Sequence, residues 1–71
     1  MNKPIEYIVE YSGTIYDTHR DDRTGEIDET GLVTLINERI KEGWIPMGGI
    51  SSNFNTERGR ITYTQSMVIY D

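Results

Sequence analysis

Four arginines and a glycine pair are the residues in this chain best suited to chemistry. Arg58 and Arg60 flank Gly59, Arg20 and Arg23 stand in an earlier polar stretch, and Gly48-Gly49 runs into Ser51, Ser52 and Asn53. A guanidinium offers a planar fork of donors that matches phosphate oxygens and can also stack on a base. Paired glycines let a ligand come close to backbone N–H groups, and the small polar side chains after them add further donors and acceptors. Phe54 and Tyr63 lie on either side of the same turn and offer ring faces for stacking. The candidate binding set is therefore Gly48, Gly49, Ser51, Asn53, Phe54, Arg58, Arg60 and Tyr63, with Arg20 as a more distant member. Each also has an ordinary structural reading. The glycines can mark a bulge or make room for Trp44 or a tyrosine. The arginines can be solvated turn charges paired with Glu57, Asp21 or Asp22, and the aromatics can be core or interface residues.

The glycine run is not a nucleotide loop of the familiar kinds. No Gly-Lys-Ser/Thr follows it, and no helix begins where a dinucleotide fingerprint needs one. Catalysis finds little material. His19 is the single histidine, cysteine is absent, and Ser12, Ser51, Ser52 and Ser66 lack a nucleophile motif. Asp21-Asp22 does not have the spacing of a calcium loop. The expectation is a binding protein rather than an enzyme, with no catalytic residues, metal or cofactor. Gln65, set among apolar neighbours, needs partners if buried, and could satisfy a helix-end carbonyl or reach a ligand or neighbouring subunit.

The elements that must position these residues follow from periodicity. Residues 4–12 alternate Ile5, Tyr7, Val9 and Tyr11 with Glu6, Ile8, Glu10 and Ser12, the pattern of a half-buried strand. Thr14, Ile15 and Tyr16 could prolong it past a bulge at Gly13. Residues 17–29 form a charged loop, or a short hairpin turning at Thr24-Gly25. Residues 30–42 place Leu32, Val33, Leu35, Ile36 and Ile40 on one helical stripe. Asp28 or Thr30 is the expected cap, Glu29 adds charge at the same end, and Gly43 is the terminator. Trp44 is expected in the core against the helix end. A second strand covers residues 44–54, a turn 55–59 and a third strand 60–70.

The predicted fold is α+β, in the order β-α-β-β. A right-handed crossover makes the first two strands parallel, and the last lies between them, antiparallel to both. The result is a three-stranded, mostly antiparallel sheet with one helix packed on one face. The other face is expected to hold Ile8, Val68 and Tyr70, and to invite another copy of the chain.

At 71 residues the chain is read as one domain, 1–71. A core of this size supplies only about 3–5 kcal/mol of net stability, and without cysteine no disulfide can add to it. A homo-oligomer, dimer or tetramer, is therefore expected. The net charge is −5. It arises in residues 1–30, where acidic side chains outnumber basic ones, while residues 31–71 are balanced. Such a chain is a poor partner for duplex nucleic acid. No run is apolar enough for a membrane span or a signal peptide, so a cytoplasmic protein with no membrane partner is expected.

The run Glu42-Gly43-Trp44, Pro46, Gly48-Gly49, followed by Tyr63, Gln65, Met67 and Val68, resembles a family of short bacterial and phage domains known as domain of unknown function 1737. The helix before the run and the Tyr7-Ile8-Val9 strand also fit, while residues 13–29 lie outside the likeness. Ser66 stands where the family pattern has alanine. The family label carries no activity. In build the chain is similar to phage sponge proteins, which are tiny, cysteine-free oligomers that sequester cyclic nucleotide signals of host immunity. The resemblance implies anti-defence sequestration of a cyclic dinucleotide at a subunit interface, without cleavage, in the host cytoplasm. Two other readings stand beside it: a protein-interaction module that inhibits a host protein through a strand edge or residues 17–29, and an accessory domain with no ligand.

Overall fold

The computed structural model describes residues 3–70. The alternating segment becomes β1 (Pro4–Ser12), which stops before Gly13. Thr14, Ile15 and Tyr16 therefore do not extend the strand. The charged segment folds as a hairpin, with β2 (Thr18–Arg20) antiparallel to β3 (Ile27–Glu29). Asp21 closes its turn. The Asp21 carboxylate accepts the N–H groups of Arg23 and Thr24, and its backbone bonds to Glu26 and Gly25.

The helix α1 (Leu32–Lys41) starts two residues later than the pattern suggests, and neither Asp28 nor Thr30 caps it. Gly31 is the cap residue and has no side chain to offer. Three groups from the preceding segment satisfy the helix end instead. Leu32 and Val33 donate to the carbonyls of Thr14 and Ile15, at 2.9 and 3.0 Å. The Asp17 carboxylate accepts from the Gly31 N–H at 2.7 Å and from the Thr34 hydroxyl at 2.8 Å. The backbone lies so close that a Cβ on Gly31 would sit 2.3 Å from the Tyr16 carbonyl carbon. At the other end Gly43 has φ +101° and bonds back to Ile40, the left-handed closure expected of it.

β4 (Ile45–Asn55) and β5 (Arg60–Tyr70) form a long hairpin, with Asn55 Oδ1 accepting the N–H groups of Glu57 and Arg58 in its turn. The three long strands make one antiparallel sheet in the order β1-β5-β4. The architecture is α+β, one helix on a three-stranded antiparallel sheet, with the β2–β3 hairpin as a separate two-stranded unit.

The register decides which side chains meet the helix. Ile8, Glu10 and Ser12 stand opposite Met67, Gln65 and Tyr63, and directly opposed residues share a face. This is the helix side. Glu10 pairs there with Arg39 of α1, and the Ser12 hydroxyl donates to the Thr30 carbonyl at 2.7 Å. Ile8 is therefore under the helix and not, as expected, beside Val68 and Tyr70. Tyr7, Val9 and Tyr11 take the open face instead. The polar partners on α1 select the face, and a one-residue slip would reverse it.

The fully buried apolar side chains are Leu32, Met67 and Val68, and Trp44 is only half-buried at the helix end. Ten helical residues reach roughly 15 Å, whereas an 11-residue strand reaches roughly 36 Å, so α1 covers only part of one face.

Gln65 is 4 % exposed on the helix side, opposite the point where β4 bulges. Its Nε2 lies 3.0 Å from the Met47 carbonyl, 3.2 Å from that of Gly48 and 3.0 Å from that of Ser66. The amide fills the break in the ladder rather than serving a helix end. Gln65→Leu removes the donor that three part-buried carbonyls share and is expected to cost about 1–3 kcal/mol in urea unfolding at fixed protein concentration. Asp17 makes a pH-dependent contribution. Its carboxyl is held below the ordinary value, first by the Gly31 N–H, then by the Thr34 hydroxyl, and to a lesser degree by Arg20. Its stabilisation is present above the unfolded value of about 3.9 and fades as pH falls through the lower folded value. Thermal melts from pH 7 to 2 should show Asp17→Asn less stable near neutrality, with the gap to wild type closing below about pH 4.

Candidate ligand-binding face

Across the open face the register aligns side chains in rows. Tyr7, Val68 and Ile45 form one row, Val9, Ser66 and Met47 the next, then Tyr11, Thr64 and Ser51. Thr62 with Asn53 and Arg60 with Asn55 complete the series toward the hairpin tip. The first two rows are apolar apart from Ser66, whose Oγ accepts the Tyr7 hydroxyl at 2.7 Å. The later rows carry hydroxyls, amides and one guanidinium. The open face thus has an apolar zone near the strand ends at Tyr7 and a polar zone toward the tip.

The glycine pair sits at the boundary between them. Three residues, Gly48 to Ile50, stand opposite Gln65 between the Met47–Ser66 and Ser51–Thr64 pairs. Gly48 has φ +70°, which only glycine adopts at little cost, while Gly49 does not require positive φ. A Cβ on either would meet nothing within 4 Å. Gly48 is thus explained by backbone conformation, and the surface around both is open.

The candidate residues do not gather in one place. Ser51, Asn53 and Arg60 share the polar zone. Phe54 and Tyr63 lie on the opposite, helix-side face, across from Ile61 and Ser52. Neighbours along a strand point to opposite sides, so Asn53 and Phe54 cannot serve the same flat site. Arg58 is in the turn at the tip, and Arg20 is on β2 in the other sheet. The aromatic that shares the polar face is Tyr11, 69 % exposed, in the row of Thr64 and Ser51. The sequence pattern shows Tyr11 alternating, but its neighbours follow only from the register. Thr62 and Thr64 were missed for the same reason.

Two shallow hollows mark the surface. One, of about 500 Å³, is lined by Pro4, Ile5, Glu6, Tyr7, Met47 and Val68. The other, of about 310 Å³, is lined by Gly13, Glu29, Arg60 and Ile61. Arg60 is the one candidate residue that lines either of these. Among the described residues the ion pairs join Arg39 to Glu10 and Glu42. Glu57, Asp21 and Asp22 therefore form no ion pair with Arg20, Arg23, Arg58 or Arg60, although Arg20 acts on the Asp17 carboxylate and Arg60 shares a hollow with Glu29. No group of three or more acidic or histidine side chains suited to a metal ion occurs among the described residues. No helix among them is long and apolar enough to cross a membrane.

No family model, curated protein or solved structure matches the chain.

The two glycines should respond differently to substitution. Gly48→Ala places a side chain in the left-handed region and is expected to lower stability by about 1–2 kcal/mol. Gly49→Ala should be close to neutral, and urea midpoints of the two variants measure the difference.

Proposed function

We propose that this chain is a small phage-type binding protein that sequesters a cyclic dinucleotide, without cleaving it, in a cleft formed where copies meet. The observation that carries the reading is the polar zone of the open face, where Ser51, Asn53, Thr62 and Thr64 lie between the ring of Tyr11 and the guanidinium of Arg60. Hydroxyls and amides suit the edges of bases, an exposed tyrosine suits their faces, and an arginine free of carboxylate partners suits a phosphate. This zone is flat and has no second wall in one chain, so a ligand would be enclosed by another copy. The resemblance to domain of unknown function 1737 and to phage sponges supports the same reading. Its place of action would be the host cytoplasm. Relative to expectation, this reading leaves out Phe54, Tyr63, Arg58 and Arg20, keeps Ser51, Asn53 and Arg60 beside the glycine pair, and adds Tyr11, Thr62 and Thr64.

A second reading, a module that inhibits a host protein, draws on β4. This edge strand is exposed along all 11 of its residues, and an edge of that length can accept an added strand.

Calorimetry against a panel of cyclic mono- and dinucleotides tests the first reading. Saturable heat is expected for a cyclic dinucleotide, with the ligand recovered intact after denaturation. Arg60→Ala or Tyr11→Ala should each weaken binding about tenfold or more, as for loss of one charged hydrogen bond or one stacking contact. No heat and no thermal shift across the panel would remove the reading. A stoichiometric host protein lost on disrupting the β4 edge would favour the second.

A further inference from the structure

We propose that the apolar zone of the open face is the interface between two copies of this chain, packed sheet to sheet about a twofold axis. The proposal deepens the reading above, resting on it only for the need of a second chain. Its own support lies in different residues.

Size supplies the first argument. The chain exposes 5627 Å². A folded monomer of 8.2 kDa exposes roughly 4,500 Å². The excess of about 1,100 Å² is what each partner of an obligate homodimer commonly buries. The radius of gyration is 14.3 Å, against about 11 Å for a compact chain of this length. The slab is only 15 Å thick in its short dimension and 34 Å in the next. Two slabs stacked through facing sheets would form a body roughly 30 Å thick, with the sheets about 10 Å apart.

Charge supplies the second, and it selects the occupant. None of Tyr7, Val9, Ile45, Met47, Ser66, Val68 or Tyr70 is charged, in a sequence that is 27 % charged. Open faces of antiparallel sheets ordinarily carry polar and charged residues outward. Here Glu10 alternates onto the helix side, while Glu6, beside the irregularity at the start of β1, borders the hollow at its margin. A chain of net charge −5 can approach its own copy through these rows with carboxylate kept to the margin, at Glu6. Two tyrosines, a methionine and three β-branched apolar residues, Val9, Ile45 and Val68, suit an interface core.

Shape supplies the third. Val68 is 1 % exposed, yet Tyr7, Val9, Ile45 and Met47 around it are 47–59 % exposed. Tyr7, Met47 and Val68 itself line the hollow of about 500 Å³, with Pro4, Ile5 and Glu6. A buried floor with protruding apolar walls can accept a side chain from a facing sheet, and a twofold arrangement fills both hollows at once.

Sedimentation of the full chain tests the interface. Wild type is expected to be dimeric at micromolar concentration, and folded Val9→Lys to be monomeric. Ile61→Lys alters an equally exposed apolar residue on the other face and should remain dimeric. Met47→Gln, a milder change that appears twice in a symmetric interface, should raise the dimer dissociation constant about tenfold or more. It decides the matter if Val9→Lys does not fold. Monomeric wild type, a dimer of folded Val9→Lys, an unchanged constant for Met47→Gln, or equal dissociation of Ile61→Lys would each overturn the proposal. Calorimetry on the same samples separates the two ideas. A monomer that binds a cyclic dinucleotide sinks the interface and the shared cleft but not nucleotide binding, and a dimer that binds none sinks the ligand reading alone.

Discussion

A short helix over a long sheet is the constraint from which the rest follows. Globular domains bury their apolar faces between two layers. Here the second layer is a helix of 10 residues, and it covers only the part of the sheet around Met67. Among the described residues, three fully buried apolar side chains make a meagre core. The strands extend beyond the helix on one side of the sheet and are uncovered on the other.

Where the sheet lacks packing, polar contacts set the geometry. Glu10 and Arg39 determine which face of β1 turns to the helix. Gln65 binds the carbonyls released by the bulge in β4. Each is a polar group in a shielded place, and such groups specify a register more sharply than an interchangeable apolar contact does. The bulge in turn separates the apolar rows from the polar ones, so the character of the open face changes where the ladder is interrupted.

Much of this was legible in the sequence. Alternation marks β1 and β5 nearly to their ends, the extended run around Pro46 marks β4, helical spacing marks α1, and Gly43 marks its closure. What periodicity does not carry is partnership. Ile5, Tyr7, Val9 and Tyr11 announce a common face without saying whether helix or solvent lies above it. The capping of α1 was misread because its acidic group comes from Asp17, 14 residues before Gly31, rather than from the adjacent Asp28. The candidate site suffered similarly. Residues close in sequence, such as Asn53 and Phe54, were grouped although strand geometry divides them. Tyr11 was overlooked because its neighbours are more than 35 positions away.

The ties among Asp17, Gly31 and Thr34 have an evolutionary implication. They close the root of the excursion that carries β2 and β3, so the chain leaves and re-enters the main body through one locked junction. An appendage hung from a fastened root can be lengthened, trimmed or exchanged while the sheet and helix keep their alignment. The hairpin tip is thus a natural splice point, where new recognition elements could be grafted without redesign of the scaffold beneath.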